Sequence, residues 1–283
     1  MAEEVLKRFF KPITEKQLFE IVNHITDKRL RAYYVTLYYT GAREGEILAI
    51  ENRREDISIE EGMNGEKMGI VNIYKQRTDS KKHNWDPYVI VGPKTLTSYR
   101  QSVVDTWLIE KLQELKPLDV YFPYVPRNPE IEKREKKEGK KTLWEKWLVL
   151  RTKGVIPKRP LTKEDLDGWE SLKKKGVIPE EITLRQVIFP YEPREVRRIW
   201  EELRERGIVP EGISLNHFRR SRETDLINSG YPPVVVANMI GHTVTTQQKY
   251  YMLLGVNPFK ELIAQKMFGK ESKEIEKVAR ALL

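Results

Sequence analysis

Three residue types that together can hold and attack a phosphate fall within one short run of this chain: Arg219, His242 and Tyr251. A guanidinium offers a permanent, two-pronged contact to an oxyanion. An imidazole can add a hydrogen bond, and an activated phenol is a nucleophile. The run has three consecutive short elements. Residues 219–227 read as a helix with an arginine-heavy start, closed at Gly230, which can turn left-handed. Pro232 and Pro233 suit the opening of a second helix, where a missing N–H costs nothing. That helix is apolar (Val234, Val235, Val236, Met239, Ile240) and stops at Gly241-His242. Tyr251 follows nine residues after His242. Elements this short and close allow the three groups to converge on one anion. A second stretch, T-G-A-R-E-G-E-I-L-A-I over 40–50, breaks one helix at Gly41 and starts another at Ala42. Arg43 is expected in its first turn, with its guanidinium and free backbone N–H groups pointing one way.

The two stretches, in this order, resemble the two signatures of the tyrosine recombinases, the family of phage integrases and Xer-type resolvases. The first signature is similar to T-G-x-R-x-x-E-(I/L)-L-x-L. In the second, Phe218-Arg219 stands for Leu-Arg, Thr224 falls five residues after the Arg, Ile240-Gly241-His242 stands for L-G-H, and Tyr251 lies at the family's spacing. One departure is plain: the family's first histidine falls on Asn216, and His217 is one residue late.

The resemblance implies a site-specific DNA recombinase or integrase, of Xer-like or archaeal type, acting as a homo-tetramer on double-stranded DNA attachment sites. Arg43 and Arg219 would hold the scissile phosphate and His242 would hydrogen-bond it. Tyr251 would attack to give a covalent 3′-phosphotyrosyl intermediate. A lysine on the second hairpin would protonate the departing 5′ oxygen. Lys75 matches best, with Lys81 and Lys82 as alternatives. Asn216 occupies a position that helps move the tyrosine's proton. It cannot itself act as an acid or base near neutral pH, so His217, water or the phosphate would take that part, or Asn216 would simply cap the helix. Type IB topoisomerases share this chemistry and are the rival enzyme reading. A catalytically degenerate DNA-binding protein is the rival outside enzymology, supported by position 216 alone.

Composition agrees with a polyanionic partner. Lys and Arg exceed Asp and Glu by 51 to 42, a formal charge of +9 over 283 residues. There is no cysteine, hence no disulfide or thiolate chemistry. No carboxylate cluster has metal-ligand spacing, and the expectation is a reaction with neither metal nor cofactor. No apolar run reaches membrane-spanning length and the start M-A-E-E is not a signal peptide, so a cytoplasmic protein is expected. A third of the residues are charged, in mixed sign, a composition that hints at a thermophile.

The elements expected to position these groups are mostly helical, in an α+β fold. Thr14 and Gln17 form a capping box ahead of Leu18, Ile21, Val22 and Ile25. Leu30, Tyr33, Tyr34, Leu37 and Tyr38 repeat the helical spacing, and the tyrosines read as core. Strands at 56–59 and 69–75 pair around Asn64-Gly65, and 88–91 is expected to complete a small three-stranded antiparallel sheet. Residues 96–115 read as an amphipathic helix or pair of helices, 121–129 as an aromatic, proline-rich turn, and 130–141 as an exposed charged helix or loop. A unit of Trp, Leu, Gly and Pro runs from Trp169 and again from Trp200, with a shorter copy from Trp147. It reads as a helix closed by Gly and then extended. The whole chain is expected to be one tyrosine-recombinase catalytic domain. It would carry an insertion, including this helical repeat, over about 121–194 and a C-terminal tail over about 257–283. The family's N-terminal core-binding domain is expected to be absent.

Overall fold

The computed structural model describes residues 12–62, 65–77, 86–92, 99–241 and 280–282. In chain order the elements are α1 (Glu15–Val22), α2 (Lys28–Thr40), α3 (Glu44–Ile47), β1 (Ile57–Glu61), β2 (Lys67–Ile73), β3 (Gln76–Arg77), β4 (Ile90–Val91), β5 (Arg100–Val104) and α4 (Thr106–Glu114). There follow β6 (Val120–Val125), α5 (Pro129–Lys137), α6 (Leu143–Thr152), β7 (Leu161–Thr162), α7 (Leu166–Lys174) and β8 (Thr183–Arg185), then α8 (Pro193–Glu205), α9 (Leu215–Asn228) and α10 (Pro233–Ile240).

The first helices form where local signals place them. Thr14 caps α1 by accepting from the Gln17 amide, and the Gln17 side chain accepts from the Thr14 amide at 3.0 Å. Asp27 caps α2, and Gly41 ends it at φ 58°. The left-handed backbone angle at Gly41 favours glycine, and a Cβ there would lie 2.3 Å from Ile240 Cδ1, so the Ile240 side chain of α10 would have to shift.

The tyrosines of α2 are core, as their spacing implies. Tyr33, Tyr34 and Tyr38 are fully buried. Tyr34 lies 5.3 Å from Trp200 of α8, Trp200 meets Phe218 of α9 edge-on at 4.9 Å, and Phe218 meets Tyr38 at 6.0 Å. The Tyr34 hydroxyl donates to the Val196 carbonyl at 2.6 Å and the Tyr38 hydroxyl to Asp225 Oδ2 at 2.5 Å. Such ring pairs contribute about 0.5–1.5 kcal/mol each beyond their buried area. This ring cluster fixes α9, and so Arg219, against α2 and the Gly41 turn.

The three-stranded antiparallel sheet is present, but its third strand is not 88–91. The order is β1-β2-β5, with Ile57 opposite Val71 and Ile70 opposite Val103. The segment expected to begin a long helix therefore starts as a strand. Ser102 and Val104 point inward while Gln101 and Val103 point out, a period of two. The helix begins only after Asp105. Residues 90–91 instead form β4, which pairs parallel with β6. The expected turn over 121–129 is thus mostly strand. Pro123, which has no N–H to donate, sits within it opposite Leu184 of β8, and a proline argues against a central strand on sequence grounds.

Two cores result. One gathers α1, α2, α4, α8 and the start of α9. The other gathers Trp144, Trp147, Trp169, Ile156, Ile178 and Val125. The three Trp-containing copies share local geometry. Each helix ends in a left-handed glycine, and Val155, Val177 and Ile208 each donate at 3.0 Å to the carbonyl of Leu150, Leu172 and Leu203. Trp147 and Trp169 enter the second core, whereas Trp200 enters the first. Among the described residues no helix is long and apolar enough to cross a membrane.

Candidate active site

Arg219 joins the two signature stretches. It sits on the first turns of α9, nine-tenths buried, and its Nη1 donates to the Gly41 carbonyl at 2.7 Å. Its Nη2 donates to the Gly241 carbonyl at 3.1 Å. One guanidinium thus ties the turn that leads to Arg43 to the left-handed end of α10, where Gly241 has φ 78° and His242 is the next residue. Burial pushes the Arg219 pKa down to about 9, with nearby Arg100 and Arg43 adding to the fall and Glu46 and Glu223 opposing it. The group stays charged at neutral pH in surroundings already rich in cations.

Arg43 is the N-cap residue of α3, one position ahead of the first turn where it was expected. Its backbone amide is not free either, because it donates to Glu46 Oε2 at 2.7 Å. Its Nη1 reaches Glu46 Oε1 at 3.0 Å, yet the side chain is 56% exposed. Glu46 is itself buried and receives a second guanidinium: Arg100 Nη1 at 3.2 Å and Nη2 at 2.5 Å. Burial alone would raise the Glu46 carboxyl. The two arginines outweigh it and hold the group below its ordinary value.

Arg100 was not singled out from sequence. It opens β5, 54 residues from Glu46 in the chain, and its side chain is 4% exposed. A Cβ on Gly241 would lie 2.9–3.0 Å from its guanidinium. Arg100 therefore packs under the same turn that Arg219 holds. The E of the first signature could have suggested a buried cation partner, but nothing local identifies which arginine answers it. Among the described residues, Arg43, Arg100, Glu46 and Glu223 all lie close enough to Arg219 to act on its charge.

Asn216 is exposed on the first turn of α9 and does not cap the helix. The cap is Ser214, and His217 completes it by accepting from the Ser214 amide on Nδ1 at 3.0 Å. With Nδ1 accepting, the neutral ring carries its proton on Nε2. Burial, with Arg220 adding, lowers the His217 pKa, so the ring is neutral at pH 7. His217 and Arg220 line a cavity of about 650 Å³ with Pro12, Gln17, Pro210 and Glu211. Arg43, Arg100 and Arg219 do not line it. Thr224 is buried and donates back to the Arg220 carbonyl at 2.9 Å.

Lys75 lies two residues beyond the end of β2 rather than at its last position. It is buried between Glu51 and Asp56, 2.6 Å from Asp56 Oδ2, with the Tyr74 hydroxyl at 3.3 Å. None of its contacts is with the arginine cluster. Lys81, Lys82, His242, Tyr250 and Tyr251 lie outside the described residues. Among the described residues no group of His, Asp or Glu is arranged to hold a metal ion.

No family model matches the chain, and no curated protein matches it. Among solved structures it is similar to the Tn1549 transposon integrase in complex with transposon right end DNA, with TM-score 0.48 and 12% identity, over 91% of this chain and 65% of that one. Two further structures of that integrase, with circular intermediate DNA, give TM-scores of 0.47 and 0.42 at 15% and 14% identity, over 86% and 85% of this chain and 61% and 62% of theirs. The chain thus spans about 65% of the length of the first of these structures.

Proposed function

We propose that this chain is the catalytic domain of a tyrosine-type site-specific DNA recombinase or integrase. The observation that carries the reading is the Arg219 guanidinium, bonded at once to the Gly41 and Gly241 carbonyls. It draws two stretches far apart in sequence, each similar to a signature of the same family, to one point. An exposed Arg43 beside it can take the non-bridging oxygens of a phosphodiester, which leaves the developing charge of an in-line displacement stabilised without a metal.

In the proposed reaction the Tyr251 phenolate attacks phosphorus and the bond from phosphorus to the 5′ oxygen breaks. The strand is left as a 3′-phosphotyrosine and a 5′-hydroxyl, which later attacks in reverse to reseal. Arg43, Arg219 and His242 hold the phosphate. The leaving oxygen takes its proton from a lysine, Lys75 or one of Lys81 and Lys82. Lys75 would first have to leave Glu51 and Asp56. The phenol proton passes to His217, to water or to the phosphate itself, because Asn216 cannot take it. Assembly as a tetramer on paired duplexes, with 121–194 as an insertion and 257–283 as a tail, completes the proposal.

The test is incubation with DNA nicked near candidate sites, which traps covalent protein because the resealing strand is lost. A protein–DNA adduct through a 3′ phosphate on Tyr251, absent in Tyr251→Phe, is the expected result. A nucleotide on Tyr250 would move the nucleophile, and no adduct on any substrate would leave only a DNA-binding protein.

A further inference from the structure

A helix as short as α3 cannot hold its own place, because short helices are marginal without tertiary support. Arg43 depends on that helix. Its amide and its guanidinium both bond Glu46, within α3 itself. Whatever fixes α3 therefore fixes Arg43. Two anchors reach its side chains: Arg100 on Glu46, and Arg197 Nε on Glu44 at 2.6 Å. A third anchor comes from a residue outside both signature stretches. Arg77, of β3, is wholly buried. Its Nη1 donates to the carbonyl of Leu48, the C-cap of α3, at 3.4 Å and to the Phe189 carbonyl at 3.2 Å. Its Nε donates to the Pro87 carbonyl at 3.0 Å, and its guanidinium carbon lies 3.9 Å from the centre of the Phe122 ring. One side chain thus joins the end of α3, the entry to β4, the strand β6 and the segment ahead of α8. The Arg77 main chain meets the helix as well. A Cβ on Gly45 would lie 1.8 Å from the Arg77 carbonyl oxygen and 3.0 Å from its carbon, so α3 packs straight onto the β3 backbone. That backbone is itself paired, Arg77 with Ile90 of β4, and β4 with β6.

We infer that Arg77 is a positioning residue for Arg43: it sets α3 against β3 through the Leu48 carbonyl and the Gly45 contact, and so aims the Arg43 guanidinium. The inference rests on the proposed function for the reaction in which Arg43 acts. A buried cation is costly, and burial pushes the Arg77 pKa down to about 9, with Glu192, Tyr88 and Asp86 opposing. Among the described residues its hydrogen bonds all go to main-chain carbonyls. An apolar side chain would fill the same space without the cost of the charge. What arginine alone supplies is a rigid fork of N–H groups that reaches carbonyls of three separate segments. Position 45 is left open by the first signature. In this fold any side chain there would have to push α3 and β3 apart.

The experiment compares the full chain with Gly45→Ala, with Arg77→Lys, and with Ile178→Ala, which opens a cavity in the second core, to which α3 contributes no residue. Adduct formation on nicked DNA is timed at saturating protein, below the melting transition of every variant, and duplex affinity is measured beside it. Gly45→Ala is expected to lose about 10- to 100-fold in adduct rate, the size of effect that a misplacement of about 1 Å produces. Its duplex affinity should be unchanged, because affinity is spread over many phosphate contacts. Arg77→Lys should lose rate in the same way and to a smaller extent, since one ammonium cannot reach all three carbonyls. Ile178→Ala should melt lower and keep the parent's rate. Added to Arg43→Ala, the Gly45→Ala change should cost far less than it costs the parent, because residues that act through one another are not additive. Should Gly45→Ala not fold, Arg77→Lys carries the same comparisons. Three results overturn the inference: the parent's rate in Gly45→Ala, a rate loss in Ile178→Ala as large as in the other two, or the same fold-loss with and without Arg43. A parent that forms no adduct overturns the proposed function, and the inference with it.

Discussion

Two clusters of cations and carboxylates draw residues from both sides of the small sheet's second strand in sequence, and they differ in how far a cation is left exposed. Glu46 pairs with Arg43 and Arg100 and lies near Arg219, and Arg43 stays more than half exposed. Around Lys75, the lysine is 4% exposed and meets Glu51 and Asp56, themselves 8% and 0% exposed. Arg53 reaches this second group from the surface at 3.5 Å from Asp56. An anion arriving at the first cluster meets an accessible guanidinium, that of Arg43. An anion arriving at the second meets a lysine already neutralised and walled off by carboxylates. The contrast is one of exposure: the first cluster leaves a guanidinium open to solvent, and the second keeps its lysine enclosed.

The sharpest way to break this contrast is Arg219→Ala. It removes both carbonyl bonds and one phosphate contact, and loss of one such donor costs about 10²–10³ in rate. Adduct formation on nicked DNA should fall at least that far, with Arg219→Lys giving no rescue because it loses the two-pronged geometry. Arg43→Ala should match it in rate with a smaller change in melting temperature. A normal adduct from either alanine variant would remove that residue from the site.

Lys75→Met should act on stability first. It takes the buried cation from two buried carboxylates and leaves them only Arg53 and Arg185 from the surface, a loss of up to about 3 kcal/mol, read as a lowered urea midpoint at pH 7. A Lys75→Met protein as stable as the parent but unable to form adduct would place Lys75 in the chemistry after all.

Arg100→Gln sits between these cases. Glu46 is held below its ordinary value of 4.5 in the folded chain. Its ionised pairing therefore stabilises the fold above that pH, and the contribution is lost as pH falls through the depressed folded value. The variant should be less stable than the parent at neutral pH, with the gap closing in acid, and about tenfold slower in adduct formation because Arg43 loses a fixed anchor. A pH-independent gap would mean that Arg100 acts by packing alone.

The smallest effects belong to the start of α9. Asn216→His should retain or raise adduct formation if 216 is the family's histidine position. His217→Ala should weaken the cap by about 1 kcal/mol, read as a slightly lower melting temperature. A dead His217→Ala beside a normal Asn216→Ala would move the proton-transfer position by one residue.

What the sequence determined by itself was local. The capping box at Thr14, the breaks at Gly41 and Gly241, the helix opening at Pro233 and the burial of the α2 tyrosines are each set by neighbours within a few positions. Hydrogen bonds and side-chain repeats inside a helix close within four residues. The spacing of Arg219, Thr224, His242 and Tyr251 is likewise a matter of counting. Only the tertiary structure decided partners distant along the chain. Arg100 became a strand residue because β2 offered it a ladder, and Val120–Val125 became a strand despite Pro123 because β4 and β8 flank it. Strand pairing is non-local, and a two-residue period over five residues competes poorly with a helical reading of the same apolar positions. The fate of the charges follows from the same cause. Nothing near Glu46 in sequence announces Arg100, and nothing near Lys75 announces that Glu51 and Asp56 will enclose it. A carboxylate is expensive to bury alone, so the cation that answers it is chosen by the packing of the whole fold.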